Sequence, residues 1–279
     1  MELQRQNERR TIKEIDSITI ETASMCNSAC IMCPHHYERR KSHLMSKEEF
    51  FGIVKMFPNL KAIVFCGLYE PLIDLRLDEF LGTLSTVSPW MKKTIFTNAS
   101  LLTEEKSKML LSNKLDSITF SVHGFDRKVY ETVMVGLNRD VTYNNINRFL
   151  ELRGKGNSPK VTVSFVRVRQ NIADLPAFRE YWKDKVEVVS DYEVENWRSA
   201  VPFGRLSYTV PTGTRFCPMW DWPIVIDAFG NIVRCCYCFD RGYGKVLDGG
   251  IDNWLKKEPV SDTYPAESCK PCLGWRCGY

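Results

Sequence analysis

A chain of 279 residues is long enough to bury a full core, either as one large domain or as one domain with a small appendage. Hydrophobic content of 44%, charged content of 26% and a formal net charge of +4 are those of an ordinary globular protein, with too little positive charge to argue for a nucleic-acid partner. No apolar run is long enough to cross a bilayer, and the polar start MELQRQNERRTIKEID has no signal-peptide core, so a cytoplasmic protein without a membrane partner is expected.

In chain order, IDSITIE (Ile15 to Glu21) reads as a first strand, and the cysteine-rich run CNSACIMC (Cys26 to Cys33) follows it on a loop. Ser46 opens a helix, with Glu49 placed for a capping box. Further strands are KAIVFCG (Lys61 to Gly67), KKTIFTN (Lys92 to Asn98), DSITFSVH (Asp116 to His123), KVTVSFVRV (Lys160 to Val168) and VEVVSDY (Val186 to Tyr192). Helices are expected from Thr103, over Val141 to Arg153 and over Asp174 to Trp182.

Six strand-helix units are fewer than the eight of a closed barrel. The expected fold is therefore α/β, an open, partial (β/α)6 barrel of TIM type with its functional groups on loops after the strand C-termini. After about Asp191 the pattern changes to short runs rich in Pro, Gly, Trp and Cys, with no helical period until DNWLKKEP. Residues 1–195 are thus read as the barrel and 196–279 as a small second domain. Being short of regular structure, that domain needs a metal or disulfide to hold it.

Eleven cysteines in a reducing compartment point to metal or redox chemistry before disulfides. Cys26, Cys30 and Cys33, spaced CxxxCxxC on a loop at the catalytic end of the barrel, suit three irons of a four-iron cluster whose fourth iron stays open to an exogenous ligand. The bland alternative is a zinc site completed by His35 or His36.

The C-NSA-C-IM-C run resembles the signature of the radical S-adenosylmethionine (SAM) enzymes, whose loop also follows the first barrel strand. Gly67-Leu68-Tyr69-Glu70-Pro71 looks like the family's GGEP segment, which binds the methionine amino group of SAM. Thr97-Asn98-Ala99 is similar to its TNG segment, and Ser121 ends the fourth strand where a SAM-contacting polar residue often lies. Met32 resembles the apolar position that packs against adenine, with plain loop packing as the alternative. The chain departs from the family at Leu68 and Tyr69, which add bulk, and at Ala99, which replaces Gly. The resemblance implies a site-differentiated 4Fe-4S cluster that binds SAM and cleaves it reductively to a 5′-deoxyadenosyl radical, which abstracts a substrate hydrogen.

In the tail, Cys217, Cys235, Cys269 and Cys272 form a wide pair and a CxxC pair, which suits a zinc ribbon or an iron-sulfur cluster. Behind such a barrel the stretch from Phe216 to Cys277 resembles the SPASM/twitch extension. The shorter twitch form implies one auxiliary 4Fe-4S cluster, with Cys277 as an alternative ligand. Cys236 and Cys238 are read as local packing or alternative ligation, or as hydrogen-atom donors that complete an epimerisation. Trp220 and Trp222 are expected around the auxiliary cluster, and Cys66 as a small buried hydrophobe.

HHYERRK (His35 to Lys41) is a basic run suited to an acidic substrate or to a flavodoxin- or ferredoxin-like electron donor, although such runs are usually solvated surface. His123 ends a strand, either as an acid or base or as a structural hydrogen bonder. The expected reaction is dehydrogenation or epimerisation of a small sugar- or aminocyclitol-like molecule. Only 25 residues precede Cys26, which favours a small substrate, or a peptide recognised without a leader domain, with the small substrate as the first expectation and peptide maturation as the second. A noncatalytic zinc-binding interaction protein is the reading from another class.

Overall fold

The computed structural model describes residues 11–38, 40–194, 197, 200–207, 224–235 and 238–256. Cys217, Trp220, Trp222, Cys236, Cys269, Cys272 and Cys277 lie outside the described residues, and Cys235 and Cys238 are described by their backbone alone.

Strands β1 (Ser17–Ile20), β2 (Ala62–Phe65), β3 (Lys92–Thr97), β4 (Ser117–Ser121), β5 (Lys160–Arg167) and β6 (Val188–Glu193) pair in parallel, each with the next. Strands β7 (Ile224–Ile226), β8 (Asn231–Cys235) and β9 (Cys238–Lys245) continue the sheet on the other side of β1. The order β6-β5-β4-β3-β2-β1-β7-β8-β9 is open, as expected of a partial barrel. In the tail, β7 thus runs parallel to β1, and the β8–β9 hairpin follows it antiparallel.

Helices α1 (Pro34–Tyr37), α2 (Lys47–Met56), α3 (Leu77–Val87), α4 (Glu104–Ser112), α5 (Arg127–Val133), α6 (Arg139–Arg153), α7 (Leu175–Trp182), α8 (Phe203–Leu206) and α9 (Gly250–Leu255) complete the described elements. Side chains of Ser46, Thr103 and Asn138 accept from backbone N–H groups and start α2, α4 and α6. The sequence reading gave α2, α4, α6 and α7 and missed α5 and α3, the latter carrying its buried face on Leu77, Phe80, Leu81 and Leu84.

Register and the two-residue strand period sort the parallel strands into two faces. One face carries the fully buried Ile18, Ile20, Ile63, Phe65, Ile95, Ile118, Phe120, Val161, Val163 and Phe165. The other carries small hydroxylated residues in mid-strand, Thr19, Thr94, Ser117, Thr119 and Thr162, with Thr94 and Ser117 hydrogen-bonded at 2.7 Å. Continued to the C-terminal ends, this second face presents Cys66, Asn98, Ser121, His123, Val166 and Tyr192, all of which line a cavity. Among the described residues no helix is long and apolar enough to cross a membrane.

Candidate active site

A cavity of ≈310 Å³ opens at the C-terminal ends of the parallel strands, where Cys26, Cys30 and Cys33 line it together with Glu70, Asn98, Ser121 and His123. The cysteine loop is held as if it were a strand: Ala29 and Ile31 donate to the carbonyls of Val135 and Val133 at 2.8 and 3.0 Å. Ser28 adds a hydroxyl bond to the Val135 carbonyl at 3.2 Å, and Asn98 Nδ2 donates to Asn27 Oδ1 at 2.9 Å. Main-chain bonds from Ala29 and Ile31, with side-chain bonds from Ser28 and Asn98, fix the thiol-bearing loop.

Burial pushes the Cys26 thiol up to about 12, and the charges of Cys30 and Glu70 push in the same direction. Cys30 and Cys33 are raised by the same desolvation. Three desolvated thiols that repel one another as anions fit a cationic metal centre, whose charge offsets the cost of ionising them. Among the described residues no three His, Cys, Asp or Glu side chains close on a position for one metal ion. A four-iron cluster does not require that convergence, because each thiolate binds a separate iron.

Glu70 is buried to 1% exposure, and three donors hold its carboxylate. Leu72 N and Thr97 Oγ1 donate to Oε1 at 3.0 and 2.6 Å, and Asn98 N donates to Oε2 at 2.8 Å. Burial raises its pKa, while these donors and the nearby Lys106 act in the opposite direction. Pro71 starts a single 3-10 turn that Glu70 caps, which aims the carboxylate back toward the cavity. An ammonium group from a ligand would supply the missing counter-charge.

The two family departures have physical accounts. Leu68 and Tyr69 are buried in the cavity wall, and the Tyr69 hydroxyl donates to the Ile20 carbonyl at 3.3 Å. Ala99 sits at φ 59, in the left-handed region where Gly is at ease and any Cβ costs energy. Met32 is buried and lines the same cavity. Gly67 also belongs to it, and Pro71 lies directly behind Glu70.

On the β4–β6 side, His123 Nδ1 accepts from Val166 N at 3.1 Å, which assigns the ring proton to Nε2. Burial lowers its pKa to about 4, against a smaller opposing influence of the Ser164 carbonyl, so the ring is neutral at physiological pH. A neutral imidazole with its proton on Nε2 is a hydrogen-bond donor at that atom. Tyr192, Glu193, Val194 and Trp197 complete this side.

The sequence reading did not select Cys66, Phe96, Tyr192 or Glu193, although counting alternate residues along each strand would have found the first three. Cys66 is more than a core filler, since it lines the cavity beside Gly67 and its thiol is pushed up to about 12, first by burial and then by the Glu21 charge. Arg40, read as part of a basic surface run, turns inward to Glu21. That leaves a weaker patch for an acidic partner than the residue string suggested.

The family model described as the Radical SAM superfamily matches residues 20–181. A Pyrococcus furiosus protein named as a tungsten-containing aldehyde ferredoxin oxidoreductase cofactor-modifying protein is 27% identical over 168 residues, which are 58% of this chain and 46% of that protein. A Niallia circulans SAM-dependent 2-deoxy-scyllo-inosamine dehydrogenase is 26% identical over 117 residues, 40% of this chain and 46% of that enzyme. The chain thus spans about half the length of these curated relatives. Among solved structures, BtrN in complex with AdoMet and 2-DOIA aligns with TM-score 0.58 at 18% identity, over 88% of this chain and 84% of that one. Streptococcus suis SuiB bound to the precursor peptide SuiA aligns with TM-score 0.71 at 15% identity, over 94% and 70%. At these identities the structural likenesses speak for the fold.

Proposed function

Because the chain belongs to the radical SAM superfamily, which implies SAM and a 4Fe-4S cluster, we propose that it is an oxidoreductase that removes a hydrogen atom from a small hydroxylated substrate. The observation that carries this reading is the meeting of the three cysteines with the buried, pre-oriented Glu70 carboxylate in one cavity. Bound there, cluster and SAM supply the abstraction of a substrate hydrogen. Cys26, Cys30 and Cys33 would hold three irons, and Glu70 the methionine amino group. Met32 would pack against the adenine, with Asn98 and Ser121 as polar contacts. Leu68, Tyr69, Met134 and Val166 make the wall that excludes water. His123 holds its proton at Nε2 and would donate it, as a hydrogen bond, to a substrate oxygen.

The charge of the lining favours one substrate class. Among the described residues that line the cavity there is no Lys or Arg, and the carboxylates are those of Glu70 and Glu193. This supports a neutral or amine-bearing polyol over a phosphorylated molecule, in line with the inosamine named for one relative. Dehydrogenation is the leading reaction and epimerisation the second. In both, one auxiliary 4Fe-4S cluster in a SPASM/twitch tail would be held by Cys217, Cys235, Cys269 and Cys272, or with Cys277 in place of Cys272. The β8–β9 hairpin, which sets Cys235 opposite Cys238 in register, supports a cysteine cluster at this edge of the sheet, beyond β7. For epimerisation Cys236 or Cys238 would return the hydrogen. A flavodoxin- or ferredoxin-like protein would supply the electrons.

The test is anaerobic reconstitution, reduction with dithionite, and incubation with SAM and 2-deoxy-scyllo-inosamine. Formation of 5′-deoxyadenosine supports radical chemistry, and its absence from a fully loaded protein overturns it. Product mass separates the reactions: loss of two hydrogens marks dehydrogenation, whereas unchanged mass with one deuterium gained from heavy water marks epimerisation. Turnover of a peptide but of no cyclitol would move the reading to peptide maturation.

A further inference from the structure

We propose that Glu21 and Arg40 are positioning residues for the amino-acid end of bound SAM, and that they make the start of the C-terminal extension part of that site. The inference rests on the reading of Glu70 as the group that receives SAM.

Glu21 follows β1 directly and is 0% exposed, whereas the Arg40 side chain is 18% exposed. The two form a fork-to-fork pair, with Arg40 Nη1 on Oε2 at 2.6 Å and Nη2 on Oε1 at 2.9 Å. What the pair holds is a single residue of the GLYEP segment. Leu68 N donates to Glu21 Oε1 at 2.5 Å, and the Leu68 carbonyl accepts from Arg40 Nη2 at 3.0 Å. Both main-chain polar groups of the residue two before Glu70 are therefore fixed by charged partners.

Two further bonds secure the same segment, Tyr69 hydroxyl to Ile20 O at 3.3 Å and Glu70 N to Met25 O at 3.0 Å. Gly67 is part of the device, because a Cβ there would overlap Oε1 and Cγ of Glu21. The glycine at this point of the motif is thus required by close approach, not by an unusual turn.

The same carboxylate reaches the tail. Ala228 N donates to Glu21 Oε2 at 3.3 Å, and Glu21 N donates to Ile226 O at 2.9 Å. One buried side chain thus joins β1, the loop after the cysteines, the segment that carries Glu70, and the turn between β7 and β8. Burying a charged pair costs several kcal/mol of desolvation, and apolar residues fill such a space at less cost. Its distinct property here is directional: it sets the position of a peptide unit next to a ligand group, which apolar packing does not do.

The experiment uses three variants of the full chain. Arg40→Lys keeps the charge but loses the fork that reaches carboxylate and carbonyl together. Glu21→Gln takes the carboxylate away from Arg40, and Glu21→Gln with Arg40→Gln removes both charges. Hydrogen exchange of a peptide spanning 66–72, measured without cofactors, is expected to speed up at least tenfold in Arg40→Lys. In reconstituted protein the Kd for SAM is expected to rise ten- to a hundredfold in Arg40→Lys and in the double variant. The change that SAM produces in the EPR spectrum of the reduced cluster should shrink in both, with iron content at the wild-type level.

The double variant should melt closer to the wild type than Glu21→Gln does, since it removes the two charges together, yet bind SAM no better. A double variant or Arg40→Lys with wild-type Kd and an unaltered EPR response would reduce the pair to scaffolding and overturn the proposal. A wild-type protein that binds no SAM at all would instead overturn the functional reading on which it rests.

Discussion

The C-terminal ends of β1–β3 and those of β4–β6 face the same cavity but are built by different rules. At the first, two carboxylates are buried to 0% and 1% exposure, and main-chain N–H groups of Leu68, Ala228, Leu72 and Asn98 bond to them. At the second, β6 is half-buried along its length, Tyr192 is 49% exposed, and the charges pair side chain to side chain. Asp191 meets Arg167 at 3.2 Å and Arg179 at 2.5 Å, while Arg167 stands 3.8 Å from Glu193. Main-chain donors are placed by the fold itself and cannot be exchanged, whereas side-chain pairs at a rim can be replaced one at a time. That difference suits the proposed reading, in which the first, rigid end holds a cofactor of fixed shape and the second, adaptable end meets the substrate.

The sharpest way to break this contrast is at the cysteines. Cys30→Ala is expected to abolish formation of 5′-deoxyadenosine and to lower bound iron, read by chromatography and iron analysis. A variant that still makes 5′-deoxyadenosine at the wild-type rate would remove the loop from the mechanism. Next comes a matched pair of carboxylate changes. Glu70→Gln should weaken SAM binding by about 1.5–3 kcal/mol, the usual range for a hydrogen bond to a charged group, by calorimetry. Glu193→Gln should keep thermal stability within about 0.5 kcal/mol of wild type, as surface changes do. Unchanged SAM binding in Glu70→Gln, or a larger loss of stability in Glu193→Gln, would erase the distinction between the two ends.

His123 is the exception on the adaptable side, and acid exposes it. Its folded pKa of about 4 lies below the ordinary 6.5, so below pH 6.5 the unfolded chain takes up a proton that the folded chain refuses. Stability is expected to fall between pH 6.5 and pH 4 by about 3 kcal/mol, at ~1.4 kcal/mol per pH unit. His123→Gln, which does not titrate, should lack this slope in pH-dependent thermal melts. Identical slopes would mean that the ring is not held neutral.

Smaller effects sharpen the picture of the rigid end. Gly67→Ala forces a methyl group against Glu21 and should cost about 1–3 kcal/mol, seen as a lower Tm. Ala99→Gly should do the opposite and raise stability by about 0.5–1 kcal/mol. It relieves the left-handed conformation at φ 59 by more than the added chain entropy of glycine takes away. A destabilised Ala99→Gly would show that the methyl group packs usefully where it stands.

Much of the fold and half of the site were legible before any coordinates. Strand period and turn residues located β1–β6 but not the seventh parallel strand, β7, and the CxxxCxxC, GLYEP and TNA runs at successive strand ends pointed to one side of the cavity. Helix α3 was missed because its start has no side-chain cap and Arg76 at its N-cap position reads as nothing in particular. Tyr192 and Glu193 carry no motif. They enter the site because β6 ends where the cavity is, which is a property of register and not of residue type.

The sequence by itself determined the family, the three thiols on one loop and the order of strand and helix, because each of these is written in spacings of a few residues. Only the tertiary structure decided that Glu21 meets Arg40, Leu68 and Ala228, contacts that span 19, 47 and 207 residues of chain. Short spacings are set by backbone geometry and survive in any window of sequence. A buried acid, by contrast, acquires its partners from whatever the closing sheet brings to it, and the gain from satisfying its charge is what fixes them there.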